Sequence, residues 1–305
     1  MAKGLEFSFT WLFAIIAGAF ILFLAIFLAS KIINLGQTEI SVKTGKQIGI
    51  LLDPLETGFE SLESSSFDMP VASRIYNNCS LNGNFGRQLI QVSQQSFGRW
   101  TKTNLNVGFS NKYIFSDEYV EGKKFYLFSK PFDFPFKISD LIMMTSSSKS
   151  YCFEDAPEQI ADEITNINQG NLFAGNCSKT SIKICFSGGT NCDINVDYDN
   201  GIVRKNSDTI YFQTDALMYA AIFSNKSLYE CQLQRLMKRT NYLGQIYMDK
   251  ANFISGTGCN TDVNTDLLLL ISAADNLKSS SDLNTMKTIS DDIQNKNDEV
   301  ICKLW

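Results

Sequence analysis

Residues 7–30 contain no charged side chain. A run of about 24 residues at ~1.5 Å each makes a helix of roughly 36 Å, enough to cross a hydrocarbon core of about 30 Å with some tilt. Such a segment offers no polar face to water, so it cannot serve as an ordinary surface helix. A cleaved secretory signal has an apolar core of about 7–15 residues and small residues before its cut. Here the run is longer, and bulky Phe27 stands third before a cut after Ala29. The segment therefore reads as a retained transmembrane helix in a lipid bilayer.

The flanking charges leave its direction open. Lys3 and the α-amine stand against Glu6 on the short side, and Lys31, Lys43 and Lys46 against Glu39 on the other. The cysteines supply the direction. Cys79, Cys152, Cys177, Cys185, Cys192, Cys231, Cys259 and Cys302 form an even set lying wholly beyond the apolar run. They read as disulfides in an oxidising space, with their pairing unspecified. Zinc ligation favours closely spaced pairs, and the tightest spacing here is Cys185 to Cys192. The sequence thus predicts a single-pass cell-membrane protein with a cytoplasmic N-terminus and an extracellular C-terminal body. Acceptor triplets at Asn78, Asn176 and Asn225 fall on that body and are candidate glycosylation sites.

A chain of 305 residues, 44% hydrophobic and 19% charged, has material for a sizeable core, and a net charge of −5 speaks against nucleic acid as a partner. It contains no histidine, which removes Ser-His-Asp and Cys-His catalysis and histidine metal ligation together. With no phosphate loop and no G-x-S-x-G, no catalytic residue, cofactor or metal is assigned. Asp193, Asn195, Asp197 and Asp199 alternate with apolar residues, but Ser207 stands where a calcium loop needs glutamate, so a solvated strand face is the plainer reading.

The rest reads as an α+β ectodomain. After a tail of residues 1–6 and the helix of 7–30, residues 31–66 carry Ile48, Leu51, Leu52, Leu55, Phe59 and Leu62 at helical spacing, an amphipathic stalk broken at Asp53-Pro54. Residues 67–222 read as β-rich, with strands at 73–76, 87–94 and 124–128 and an aromatic run through Phe132, Phe134 and Phe136. Pro131 and Pro135 make that run an edge strand or an extended crossing, with its phenylalanines turned to a core. A helix at 157–166 precedes strands at 181–186, 193–198, 202–205 and 209–213, with Asn200-Gly201 as a type I′ hairpin turn. Residues 223–305 are helical. A capping box Ser227-Leu228-Tyr229-Glu230 opens the first helix, whose cluster Arg235, Lys238 and Arg239 reads as a solvated face; helices follow at 266–277 and from 286 to the chain end, where Cys302 staples the last to the body.

Within the apolar run, Ala14, Gly18, Ala25 and Ala29 fall within about 60° of one another on a helix, a small-residue stripe of the kind that lets a second transmembrane helix approach closely. Trp11 suits the membrane interface. Lys3-Gly4 followed by Leu5-Glu6-Phe7 and a long apolar helix resembles the amino end of archaeal type IV pilin-like proteins, whose leader is cut after such a glycine. Glu6 stands second after that glycine, where the family carries its acidic residue fifth. Phe128-Ser129-Lys130-Pro131-Phe132 and Leu236-Met237-Lys238-Arg239 are similar to phrases in single-pass envelope proteins of small-genome archaea. The resemblance implies an archaeal envelope protein and supplies no activity.

These readings combine into a non-enzymatic, membrane-anchored structural or interaction protein, a subunit of a cell-surface or pilus-like assembly or adhesion apparatus. Its partners would be the lipid bilayer, a transmembrane helix of itself or another subunit, and other envelope proteins. The alternatives are a histidine-free glycan hydrolase working through carboxylates and a receptor for an extracellular solute or partner.

Overall fold

The computed structural model describes residues 9–52, 63–96, 98–100, 106–189, 191–259 and 261–305, with backbone alone for 9, 10, 29–42, 51 and 96. The leader residues Lys3, Gly4 and Glu6, the Asp53-Pro54 break and the apolar positions Leu55, Phe59 and Leu62 lie outside these.

The apolar run continues as one helix into the segment read as a stalk (31–66), but that reading fails at its far end, where residues 63–66 open a strand. α1 (Phe9–Leu51) runs for 43 residues without interruption. Its last turns lie on a sheet of order β3-β2-β1-β6-β7-β5, in which β4 also pairs with β2. These strands are β1 (Glu63–Ser80), β2 (Arg87–Ser96), β3 (Arg99–Trp100), β4 (Val107–Phe109), β5 (Ile114–Phe115), β6 (Tyr119–Asp133) and β7 (Lys137–Ser146). Side chains alternate across a strand, and both faces of this sheet are covered. Phe125 and Leu127 of β6 and Ile142 and Met144 of β7 join Ile48 and Leu52 on one side. Phe128, Phe132, Leu141 and Met143 join the larger core on the other.

A second sheet has the order β13-β12-β11-β10-β8-β9. Its strands are β8 (Tyr151–Glu154), β9 (Leu172–Ala174), β10 (Ile182–Cys185), β11 (Ile194–Asp197), β12 (Ile202–Lys205) and β13 (Asp208–Tyr211), and α2 (Glu158–Ile167) links β8 to β9. Among these, β8, β9, β10 and β11 run parallel to their neighbours, while β11, β12 and β13 form antiparallel hairpins.

Between the sheets lies α3 (Asp215–Phe223), capped by the Thr214 hydroxyl and buried at every residue from Ala216 to Phe223. A helix that is apolar all round belongs inside a protein. It touches β6, β7 and β12, so it glues the two sheets together. α4 (Lys226–Gly256) crosses the first sheet, α5 (Asn264–Asn276) packs against it, and a one-turn 3₁₀ segment (Ser280–Asp282) leads into α6 (Leu283–Glu299).

Several local expectations need correction. The type I′ geometry falls one hairpin later than Asn200-Gly201: Lys205 pairs with Asp208 across Asn206 (φ 47°) and Ser207 (φ 69°), whereas Gly201 closes a longer loop between Asp197 and Ile202. The cap of α4 is Asn225, whose side chain accepts from Leu228 N, and Glu230 instead holds Ser280 through its backbone N at 2.8 Å and hydroxyl at 2.6 Å. α6 stops at Glu299, and the tail folds back so that Leu304 is buried and Trp305 packs edge-on against Phe136 and Tyr247. Pro131 does lie in β6, opposite Asp140 of β7 and beyond Ser129, the last residue paired with β1 among the described residues. Phe132, Phe134 and Phe136 are all buried, as a core face requires.

Candidate functional site

The first candidate surface is α1 itself. Trp11–Leu28 has a mean hydropathy of 2.8 and none of it is buried by the rest of the protein. Length and composition suit a membrane crossing. Ala14, Gly18 and Ala25 lie exposed on it, and apart from the helix's own backbone no atom of the described residues stands within 4 Å of where a Gly18 Cβ would be; the Ala29 side chain lies outside the described residues. At the other end the helix is seated closely. A Cβ added at Gly45 would come within 2.9 Å of Val107 Cγ2, and one at Gly49 would run into the ring of Phe109. These glycines permit the approach, while Ile48 and Leu52 beside them are fully buried.

The second feature is a buried polar joint between α4 and the first sheet, built around a residue that a charge-cluster reading puts in solvent. Arg235 is 0% exposed. Among the described residues its guanidinium pairs with no carboxylate. Nε donates to Phe85 O (3.0 Å), Nη1 to Lys112 O (2.9 Å) and Gln232 Oε1 (2.6 Å), and Nη2 to Ser110 O (3.0 Å) and Phe109 O (3.4 Å). A planar fork of five N–H donors can meet that many carbonyls at once; an ammonium cannot. Burial lowers the Arg235 pKa to about 10, and Tyr113, whose ring centroid lies 4.5 Å from Cζ, works against that fall. Gln232 passes the chain on to Gln88 Oε1 and to Ile114 O, and Gln88 to Asn77. Asn77 then donates to Ile114 O and Ser116 Oγ, each at 3.0 Å. Gly86 (φ +60°) leaves room for the Arg235 stem, since a Cβ there would sit 2.8 Å from Cγ. The neighbouring Lys238 donates to Leu81 O at 2.8 Å.

All eight cysteines pair. Cys79–Cys231 bridges the end of β1 to α4 beside this joint, Cys152–Cys177 ties β8 to the loop after β9, Cys185–Cys192 closes the β10–β11 connection, and Cys259–Cys302 holds the C-terminal tail to the end of α4. Glu154 approaches the sulfurs of Cys185 and Cys192. Those sulfurs are bonded to each other and are not thiolate ligands.

Two groups of ionisable residues lie elsewhere. Lys130 bridges the carboxylates of Glu163 and Asp215 (3.6 Å to the latter), and each carboxylate also accepts from a tyrosine: Tyr219 to Glu163 at 2.9 Å, Tyr198 to Asp215 at 2.8 Å. Burial, then the bond to Asp215, pushes Tyr198 up to about 12, and burial raises Tyr219 further. This is the carboxylate pair a hydrolase reading would look for. Both its members are already engaged by an ammonium and a phenol.

The other group lines an open cleft of about 520 Å³ that Asp117, Glu118, Lys149, Tyr151 and Asn225 border. Asp117 and Lys149 pair across its rim at 2.6 Å. Lys205 lines an adjoining hollow of about 270 Å³. It donates to Ile222 O (2.7 Å) and Ser224 O at the end of α3, and burial lowers its pKa to about 8.

The three candidate glycosylation sites differ in setting. Asn78 is exposed on β1, opposite Leu89; Asn176 is exposed in a loop at φ 49°; Asn225 is half-buried at the start of α4. The Asp193–Asp199 face is polar and spent locally, with Asp193 accepting from Lys183 N at 2.8 Å and Asp197 from Asn200 Nδ2 at 2.9 Å. Compared with known protein families, curated proteins and solved structures, the chain matches none.

Proposed function

We propose that this chain is a membrane-anchored extracellular protein with a structural and interaction role, a subunit of a cell-surface or pilus-like assembly. One observation carries the reading: a single helix whose first part is apolar and uncovered, and whose last turns are locked to a folded, disulfide-braced body. Exposed apolar surface of this extent needs lipid or other apolar helices around it. The uncovered stripe at Ala14, Gly18 and Ala25 suits contact with a second helix. The cysteines favour an extracellular body. Pairing commits the half-exposed carboxylates of the Lys130 cluster to holding α2, α3 and β6 together, which favours scaffolding over turnover.

The test is extraction of the intact chain from native membranes in mild detergent. It should sediment with membranes, and after extraction run with a stoichiometric partner or as a self-assembled array. A full-length chain that is soluble without detergent, or a solitary monomer that turns over a defined glycan, would overturn the reading.

A further inference from the structure

We propose that Asn225 carries an N-linked glycan whose first sugar rests in the cleft beside Tyr151; this rests on the extracellular location given above. Asn225-Lys226-Ser227 is an acceptor triplet. In the fold its two amide atoms have separate tasks. Oδ1 caps α4 by accepting from Leu228 N at 2.8 Å, while Nδ2 has no hydrogen-bond partner among the described residues. Ser227 is exposed. Linkage occurs at Nδ2, so the cap survives it. The amide nitrogen attacks C1 of a lipid-linked saccharide phosphate, the N–C1 bond forms, the C1–O bond to phosphate breaks, and the amide loses one proton as the phosphate carrier leaves.

The seat for the sugar is independent of the triplet. Tyr151 is 5% exposed, yet its hydroxyl makes no hydrogen bond within the described residues and borders the same two hollows as Asn225. The ring is buried while the hydroxyl opens onto the cleft, where it can donate to or accept from a bound group. Around it the Asp117–Lys149 pair, Lys205 and Asp208 offer donors and acceptors together, which suits vicinal hydroxyls better than an anion or a cation. The other two triplets lack these features. Their middle residues, Cys79 and Cys177, are tied in disulfides, and Asn78 sits in a strand ladder.

Peptide mass spectrometry on the full chain from native membranes, alkylated without reduction, tests the idea. The Asn225 peptide should carry glycan mass and lose it in Ser227→Ala and in Asn225→Asp, which keeps the cap acceptor. Fully disulfide-bonded protein with a bare Asn225 overturns the glycan alone; free thiols throughout remove the extracellular location and the glycan with it. For the seat, Ser227→Ala should lower Tm by about 2 °C in the native background and by less in a Tyr151→Phe background. Equal shifts in both overturn the seat.

Discussion

Gln232 on α4 reaches across the molecule to Gln88 on β2, its Nε2 donating to the other amide's Oε1 where both side chains are fully buried. A neutral amide pair thus links helix to sheet, and Arg235 closes the chain by donating to Gln232 Oε1 at 2.6 Å. Networks of this kind specify one docking geometry only when every member is satisfied. Arg235→Lys keeps the charge but strands carbonyls of Phe85, Phe109 and Ser110, so urea unfolding should show a loss of about 2–4 kcal/mol. A loss under about 1 kcal/mol would mean the joint tolerates an ammonium.

The disulfides should contribute unequally. In the chain-entropy account, a bridge constrains the unfolded state more when it closes a longer loop, and the separations here run from 7 residues for Cys185–Cys192 to 152 for Cys79–Cys231. Paired alanine substitution should therefore cost about 4–5 kcal/mol at the long bridge and about 2 kcal/mol at the short one. Reversal of that order in denaturant midpoints would show that native contacts, rather than loop closure, set each contribution.

Gly49 tests the seating of α1. Gly49→Leu should drive the side chain into Phe109, lift the last turns off β2 and expose the helix to protease while the body stays folded. Adding Phe109→Ala should restore protection in part. Unchanged cleavage in Gly49→Leu would show that Ile48 and Leu52 alone hold the helix down.

Lys205 gives a pH signature. Burial drops its pKa from the ordinary 10.5 to about 8. Below pH 8 both states are protonated and the full penalty of the buried ammonium is present. Between about 8 and 10.5 the unfolded chain binds more protons, so stability rises with pH. Lys205→Met should remove that rise from the difference between the two Tm–pH profiles; parallel profiles would place the titration elsewhere.

Much of the fold is legible in the sequence because it rests on local pattern. α2, β10 to β13 and the helical C-terminal third follow from periodicity and turn residues, with α2 observed at Glu158–Ile167. α3 is not legible that way. Its segment Asp215–Phe223 is almost wholly apolar, and periodicity cannot tell a buried helix from a buried strand. The joint was hidden for another reason. Arg235, Lys238 and Arg239 look like a solvated cluster until the loops at Phe85 and Ser110 bring carbonyls to Arg235 and that at Leu81 brings one to Lys238, and no sequence pattern announces a carbonyl. Asn225 displaced Ser227 as the cap because two capping residues stood within reach of the same helix start, and only the backbone decides between them.

The unbroken course of α1 has a mechanical consequence. Residues 29–42 separate the apolar stretch from the first seated turn at Lys43–Gly45, a standoff of about 21 Å in a helix. In the proposed membrane setting, an unbroken helix without proline over that interval would couple tilt of its apolar part to β2, so that whatever grips the spoke below would set the bearing of the body.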